Sequence, residues 1–544
     1  MKKKIFLLIL TTVIYLTLSC NSDSKNSIPN KSSAKLNVTV FGGAEQVSGS
    51  LNFVESGNSR FLIDCGLFYP EGEGEYEERQ SKADELNTKL PIEAGTIDAI
   101  FITHAHLDHI GRIPLMFENG FKGKIICTEA TKIIFREMLH EQIRYDNKER
   151  EWNFSVNSIK EGYGGSSFVT AHWNDCEWQK KISSRNSRSK KGKRTDIQKE
   201  LDLEFSPCHA CAEITVDIIM PHTTGVKYNS EINVNENVKA VFLDAGHIPG
   251  SASVLLEVNK SKGMKRKLLF SGDVGNQIEL FQDGPEPVPE ADAIWMESTY
   301  GAFKREKNIN QEFTGFKKEV SDVLNNGGIA WIPAFALDRT QKVLYLINKA
   351  IKENIISENV KVFCPSPTAF AITEIYESEF RSKGGWFKKE LYDEDGLFPD
   401  FIRKLPEVIS KPCILITTSG MMDAAFSDKL LNQLLPDKST TVFLVGYQDP
   451  CTPGGQLKQD KHEIEWGENK IEVNADIKNF GAFTAHADAN DLSGWLSKQN
   501  KEKVKLFLVH GEISKMKEQK ENLSVEGFKN VIIPGKGEVF DFSD

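Results

Sequence analysis

The sequence predicts an α/β protein of more than one domain. Short apolar strands broken by glycine turns run from residue 36 onward, and over 328–446 they alternate with helical segments, the pattern of βα units on a parallel sheet. A dense cluster, His104-Ala105-His106-Leu107-Asp108-His109, follows one of these runs directly. At 544 residues the chain is also too long for one ordinary hydrophobic core.

The elements follow in order. Residues 36–41 alternate apolar and polar, Gly42-Gly43 turns the chain, and residues 59–66 read as a buried strand that carries Asp64 near its end. Residues 97–103 form the strand that delivers the histidine cluster, and 110–118 and 131–144 read as helices. Strands resume at 238–245, 267–271 and 293–297, followed by a helix over 310–324. Residues 328–333, 361–364, 413–417 and 441–446 are strands separated by helical segments, and strand character returns at 471–477 and 504–509. No internal repeat is present.

Residues 147–221 break the pattern. They show no periodicity and hold Lys180, Lys181, Arg185, Arg188, Lys190, Lys191, Lys193 and Arg194 among serines and glycines. Such a run reads as a solvated loop, and the same charges suit a clamp for a phosphate chain. The net charge of −10 gives no global support for a polyanionic partner, so a nucleic acid would have to be met locally. A content of 40% hydrophobic and 26% charged residues excludes a disordered or integral-membrane chain.

The N-terminus reads as a leader. Lys2, Lys3 and Lys4 precede an apolar run over 5–18, then Ser19-Cys20, which predicts a signal peptide over 1–20 with a lipobox-like Cys20. Residues 21–35 follow as a polar tether. The expectation is an exported bacterial lipoprotein, anchored to a membrane through Cys20. Cys65, Cys127, Cys364 and Cys413 sit in apolar runs and read as buried. Cys208 and Cys211, with Cys176 and His172, fit either a small zinc site or a disulfide.

The chemistry is concentrated in the cluster. Three histidines and an aspartate lie within six residues at a strand end, where a sharp turn lets His104 and His106 face one point and Asp108 and His109 a second. Imidazole and carboxylate are the donors of hydrolytic zinc sites. Further ligands are expected where apolar runs meet glycine: His247 in Asp244-Ala245-Gly246-His247, Asp273 in Phe270-Ser271-Gly272-Asp273, and His510 in Leu508-Val509-His510-Gly511. Strand ends on one edge of a sheet converge, which argues for a shared site.

The series Asp64, His104-x-His106-x-Asp108-His109, His247, Asp273 resembles the motifs of the metallo-β-lactamase superfamily. Glu297-Ser298-Thr299-Tyr300-Gly301, Ala485-His486-Ala487-Asp488 and Val509-His510-Gly511-Glu512 resemble the extra motifs of its β-CASP branch. Pro333-Ala334-Phe335-Ala336, Ser419-Gly420-Met421 and Gly446-Tyr447-Gln448 are also similar to stretches of that branch. Its members include the nuclease subunit of the pre-mRNA 3′-end cleavage complex and prokaryotic relatives.

The resemblance implies an αββα sandwich with an inserted β-CASP α/β cap. The sandwich would take 36–301 (with the basic insertion at 147–221) and 475–544, and the cap 302–474. It also implies two zinc ions, one on His104, His106 and His247, the other on Asp108, His109 and His510, with Asp273 bridging. Asp64 would orient ligands or water, and His486, held by Glu297, would protonate the leaving oxygen. Asp108 and Asp64 count with His486 and Glu297 among the catalytic groups. Arg339 and Ser419 would grip substrate phosphates.

Three residues at two places depart from the pattern: Asp338 stands where a glycine usually precedes the arginine, and Ala424-Ala425 where a glycine pair is common. The implied activity is a two-zinc phosphodiesterase on RNA. An exported hydrolase of another phosphoester or ester, and a silent nucleic-acid-binding module, are the competing readings. A homodimer is left open.

Overall fold

A computed structural model describes residues 35–72, 74–149, 215–260, 264–305 and 308–543, with no side-chain description from residue 144 to the end of the helix at Glu149. The leader with Cys20, residues 21–34 of the tether, the basic run at 180–194, and His172, Cys176, Cys208 and Cys211 lie outside the described residues.

Two seven-stranded sheets pack face to face. The first runs Val539–Asp541, Leu36–Gly42, Leu51–Ser56, Ser59–Ile63, Ala99–Phe101, Lys124–Thr128, Thr223–Val226 in spatial order. The second runs Asn530–Ile532, Lys505–Val509, Ala293–Glu297, Lys265–Phe270, Ala252–Asn259, Val238–Asp244, Ile232–Asn233. Strand alternation decides which side chains meet between them. Val38, Val40, Phe61 and Phe101 from one sheet pack with Phe242, Val254, Trp295 and Phe507 from the other. Trp295 stacks on Phe270 at 4.6 Å and Phe507 at 4.7 Å.

The opposite faces carry helices. Leu62, Ile100 and Ile125 lie in one cluster with Ile134 and Phe135 of the helix Glu129–Glu149. Leu269, Ile294 and Leu506 pack with Trp495 and Met516 of helices Ala489–Trp495 and Ile513–Val525. The layer order is therefore α, β, β, α, as the motifs implied.

Three local expectations need correction. A further strand, Ala252–Asn259, lies between those expected at 238–245 and 267–271, so that 238–270, like 36–63, folds back as an antiparallel ribbon. Tight turns permit this, whereas parallel pairing needs a long crossover. The helix expected over 110–118 begins earlier and breaks into Leu107–Ile110 and Ile113–Glu118. The strand expected over 471–477 divides into Asn469–Glu472, a hairpin partner of Glu463–Trp466, and Asp476–Asn479. The amides of Asn474 and Ala475 both donate to the Leu435 carbonyl, at 2.8 and 2.9 Å, and turn the chain between the two.

A five-stranded sheet forms the second unit, in the order Lys361–Phe363, Cys413–Thr417, Ile329–Pro333, Thr440–Leu444, Asp476–Asn479, with every neighbour parallel. Its last strand lies past the expected boundary at 474. Helix Ile309–Asn325 leads into it from the sandwich, and helices Arg339–Lys352, Pro367–Ser382 and Ala425–Leu434 connect its strands. Asn308 caps the first of them, its side chain accepting from the Asn310 amide at 2.9 Å. The chain then returns to the sandwich: Lys505–Val509 pairs in parallel with Ala293–Glu297, and Val539–Asp541 pairs with Leu36–Gly42. Cys65, Cys127, Cys364 and Cys413 are buried and free.

Buried ion pairs tie the two units together. Arg79 forks onto Asp449, at 2.8 and 3.0 Å. Lys342 lies 2.9 Å from Glu279 of the sandwich and 2.6 Å from Asp338. All three are nearly inaccessible to solvent, so the lysine offsets two carboxylates that have no water to solvate them. Burial and nearby Asp338 push the Glu279 carboxyl up, against the pull of Lys342. Lys342→Met should therefore destabilise the protein by about 3–5 kcal/mol in urea unfolding. Adding Glu279→Gln and Asp338→Asn should recover most of that loss; no loss in the single variant would show that the cluster contributes nothing.

Candidate metal centre

The ends of four separate strands converge on one edge of the sandwich. Ala99–Phe101 leads to His104, His106, Asp108 and His109, Val238–Asp244 to His247, Lys265–Phe270 to Asp273, and Lys505–Val509 to His510. Loops can crowd this closely only where side chains are missing. A Cβ on Gly66 would fall 1.5 Å from the Asp108 carbonyl oxygen, and one on Gly275 would fall 1.9 Å from that of Gly246. Those two contacts set Asp108 over the Asp64 loop and the His247 loop against that of Asp273.

The seven expected ligand residues fall into two groups, His104, His106, His247 with Asp273, and Asp108, His109 with His510. Asp273 divides its carboxylate between them. Its Oδ2 lies 3.4 Å from His104 Nε2 and 3.6 Å from His247 Nε2. Its Oδ1 lies 3.1 Å from His109 Nε2 and 3.4 Å from His510 Nε2. Asp108 Oδ2 is 3.4 Å from His510 Nε2.

Behind these groups, polar partners orient the rings. Asp64 Oδ1 accepts from the Thr103 amide, and its Oδ2 accepts from Thr103 Oγ1 at 2.8 Å and from His109 Nδ1 at 2.7 Å. Thr103 Oγ1 is also 3.1 Å from His104 Nδ1, and Thr299 Oγ1 is 3.1 Å from His510 Nδ1. Each of these partners occupies Nδ1 and leaves Nε2 directed inward, the arrangement that fixes tautomer and aim in a metal site. Neither threonine has a role that the sequence assigns, although Thr103 adjoins a motif and Thr299 lies within one.

Electrostatics follow from packing imidazoles and carboxylates away from water. Burial and the His109 ring lower His104, burial and the His104 ring push His106 down to about 3, and burial and the His486 ring lower His247. For His109 burial acts the same way but Asp273 and Asp64 outweigh it and raise the ring well above its usual range. Asp273 and Asp108 likewise overcome burial to lift His510 to about 9. The Asp273 carboxylate is held well below the ordinary range despite burial, by His510, His109 and His104.

The donor set fits a metal. Asp273 Oδ1 is buried without an aligned hydrogen-bond donor even though ring nitrogens surround it. Facing ring nitrogens also lie 3.0 Å apart at His104 Nε2 and His106 Nδ1, and 3.1 Å apart at His109 Nε2 and His510 Nε2. Lone pairs aimed at a common point are what a divalent cation satisfies.

His486 stands beside this cluster. Its Nδ1 is 3.1 Å from both Glu297 oxygens, and its Nε2 is 3.8 Å from Asp273 Oδ2. Glu297 is itself fixed, accepting from the Val274 amide at 2.7 Å. The His486 loop is joined to the Asp273 loop through Ala487 N to Val274 O at 2.7 Å, and Arg305 donates to the His486 carbonyl at 2.6 Å. Arg305 is a positioning residue that the sequence patterns did not mark.

The two expected phosphate contacts differ. Arg339 opens the helix Arg339–Lys352, donates to the Val445 carbonyl, and has a buried Nε without a partner. Ser419 donates its hydroxyl to Asp423, so it would have to release that carboxylate before serving a phosphate. Of the residues that depart from the family pattern, Asp338 at φ 66° and Ala425 at φ 57° sit in left-handed backbone, the conformation glycine takes without strain, whereas Ala424 is extended.

Comparison with known proteins agrees with this fold. Residues 45–173 match the metallo-beta-lactamase superfamily, 340–457 the Beta-Casp domain, and 470–534 the Zn-dependent metallo-hydrolase RNA specificity domain. The chain has a metallo-β-lactamase domain with an inserted β-CASP domain. It is 28% identical over 480 residues to an RNase J-like protein of Methanocaldococcus jannaschii, covering 87% of this chain and 91% of that one. It is 23% identical over 494 residues to Ribonuclease TTHA0252 of Thermus thermophilus, covering 88% and 94%. It is also 23% identical over 500 residues to the transcription termination factor FttA of M. jannaschii, covering 88% and 67%. The metal-ligand candidates and His486 all come from the metallo-β-lactamase part, whereas Arg339 and Ser419 come from the five-stranded unit.

Asp64→Asn places an amide N–H against the N–H of His109 and loosens that ring. Metal affinity should fall about 10–100-fold in competition with a chromogenic chelator, with an unchanged circular dichroism spectrum. Equal affinity in the two proteins would separate Asp64 from the metal site.

Proposed function

We propose that the protein is a zinc-dependent ribonuclease that hydrolyses phosphodiester bonds in the cleft between the metallo-β-lactamase and β-CASP domains. The division of the Asp273 carboxylate between two ligand groups carries the reading that two zinc ions are held. His104, His106 and His247 would hold one, Asp108, His109 and His510 the other, and Asp273 both. Bound there, zinc would supply the charge that activates a water and neutralises the phosphate.

The chain's own residues account for the remaining steps. Asp64 and Thr103 keep His109 and His104 aimed inward, and Thr299 does the same for His510. Glu297 binds His486 through Nδ1, so the proton for the leaving oxygen sits on Nε2, the nitrogen that faces Asp273. Water forms the new P–O bond, the bond to the departing 3′-oxygen breaks, and that oxygen takes the His486 proton. A 5′-phosphate and a 3′-hydroxyl result. Arg339, whose buried guanidinium has donor capacity to spare, would bind a neighbouring phosphate. Relatives named as ribonucleases that align along nearly their whole length support RNA as substrate.

One observation favours a second reading, a hydrolase of another phosphoester or ester: the chain's net charge of −10 does not attract a polyanion. Assaying single-stranded RNA beside a simple aryl ester and an aryl phosphodiester separates the two. His486→Ala should lower the RNA cleavage rate about 10²–10⁴-fold, with zinc content unchanged at two ions per chain. Turnover of small esters with intact RNA would sink the ribonuclease reading, and a single zinc per chain would sink the two-ion count.

A further inference from the structure

One loop holds the backbone of a single ligand group. Residues 43–50 join the strands Leu36–Gly42 and Leu51–Ser56 and contain none of the candidate ligands. The Gly43 carbonyl accepts from the His510 amide at 2.7 Å, and the Gln46 carbonyl accepts from the Gly511 amide at 3.1 Å. At the far end of the loop the Ser50 amide donates to the Asp108 carbonyl at 2.9 Å. Asp108, His109 and His510 form one of the two groups, and its two chain segments meet on this loop. Among the described residues the loop makes no hydrogen bond to His104, His106, His247 or Asp273. His247 is held instead by Ser251, whose Oγ accepts from its amide at 2.9 Å.

The His510 backbone needs such support. Its φ of 54° lies in the left-handed region, which a residue with a side chain keeps only where its surroundings fix it. Glu71 fixes the loop in turn. Its Oε2 accepts from the Val47 amide at 2.7 Å and its Oε1 from the Ser48 amide at 2.8 Å. One carboxylate on two successive amides is a charge-assisted clamp. The Tyr69 amide donates to Ser48 Oγ at 2.9 Å, a second tie between the same two segments. Among the described residues Glu71 has no ion pair, so its charge is directed at these amides. It lies outside every motif and hydrogen-bonds to no ligand residue.

We propose that Glu71 is a positioning residue for one zinc ion, that of Asp108, His109 and His510, and not for the ion of His104, His106 and His247. The inference rests on the two-ion reading above and deepens it, because the two ions then have separable supports. Glu71→Gln turns one acceptor into a donor that faces a backbone N–H. The loop loosens, and the segments of His510 and Asp108 loosen with it.

The test measures zinc affinity of the full chain, ion by ion, in competition with a chromogenic chelator. Glu71→Gln should weaken one ion about 10- to 100-fold and leave the other unchanged. Two backgrounds assign the ion. In His510→Ala, which removes a ligand of the second ion, adding Glu71→Gln should change nothing further. In His247→Ala, which removes a ligand of the first, it should weaken the remaining ion by the same factor. Equal affinities in wild type and Glu71→Gln, a parallel loss of both ions, or the reverse pattern in the two backgrounds would overturn the role of Glu71. A wild type that binds two ions keeps the two-ion reading in each of those cases, whereas one ion or none would overturn both. Glu71→Asp, which withdraws the carboxylate by one methylene, should give the same pattern and serves for the comparison if the amide variant does not fold.

Discussion

The Asp273 carboxylate, buried among His104, His109, His247, His486 and His510, is the group on which the rest of the arrangement depends. A charge removed from water must be compensated locally, and here the compensation comes from rings on four other loops. Three of those loops are held by contacts that have no chemical role of their own. Gly275 lets the Asp273 loop touch that of His247, Val274 binds the loop of His486, and Gly66 admits the backbone of Asp108. The outer face of the site is thus as constrained as its ligands.

The two domains divide the work. The metallo-β-lactamase sandwich supplies the candidate metal ligands and His486 from strand ends, where a rigid sheet limits their movement. The β-CASP unit brings Arg339 to the junction, from the loop that follows the parallel strand Ile329–Pro333. Arg79 with Asp449, and Lys342 with Glu279, join the two halves through buried ion pairs. Lys342 also neutralises Asp338, the residue just before Arg339. The junction and the approach to the site therefore share one short segment.

Asp338 and Ala425 show how departures from a family pattern are accommodated. Both occupy left-handed backbone in which a side chain is unfavourable. Asp338 recovers part of that cost through its ion pair with Lys342. Ala425 has no polar group with which to do so.

The amino-acid sequence by itself determined the cluster from His104 to His109, the strand ends at His247, Asp273 and His510, and the βα alternation of the second unit. Each is written in local periodicity or residue type, which neighbouring residues alone can reveal. The antiparallel ribbons of the sandwich were not legible, because a short buried strand such as Ala252–Asn259 carries the same apolar signal whichever way its partner runs. Nor were Thr103, Thr299 and Arg305, ordinary residues whose importance lies in which ring nitrogen or carbonyl they reach across the chain. Only the tertiary structure decided that Asp273 would face both ligand groups and that His486 would hang from Glu297, since both follow from loops more than a hundred residues apart meeting at one sheet edge.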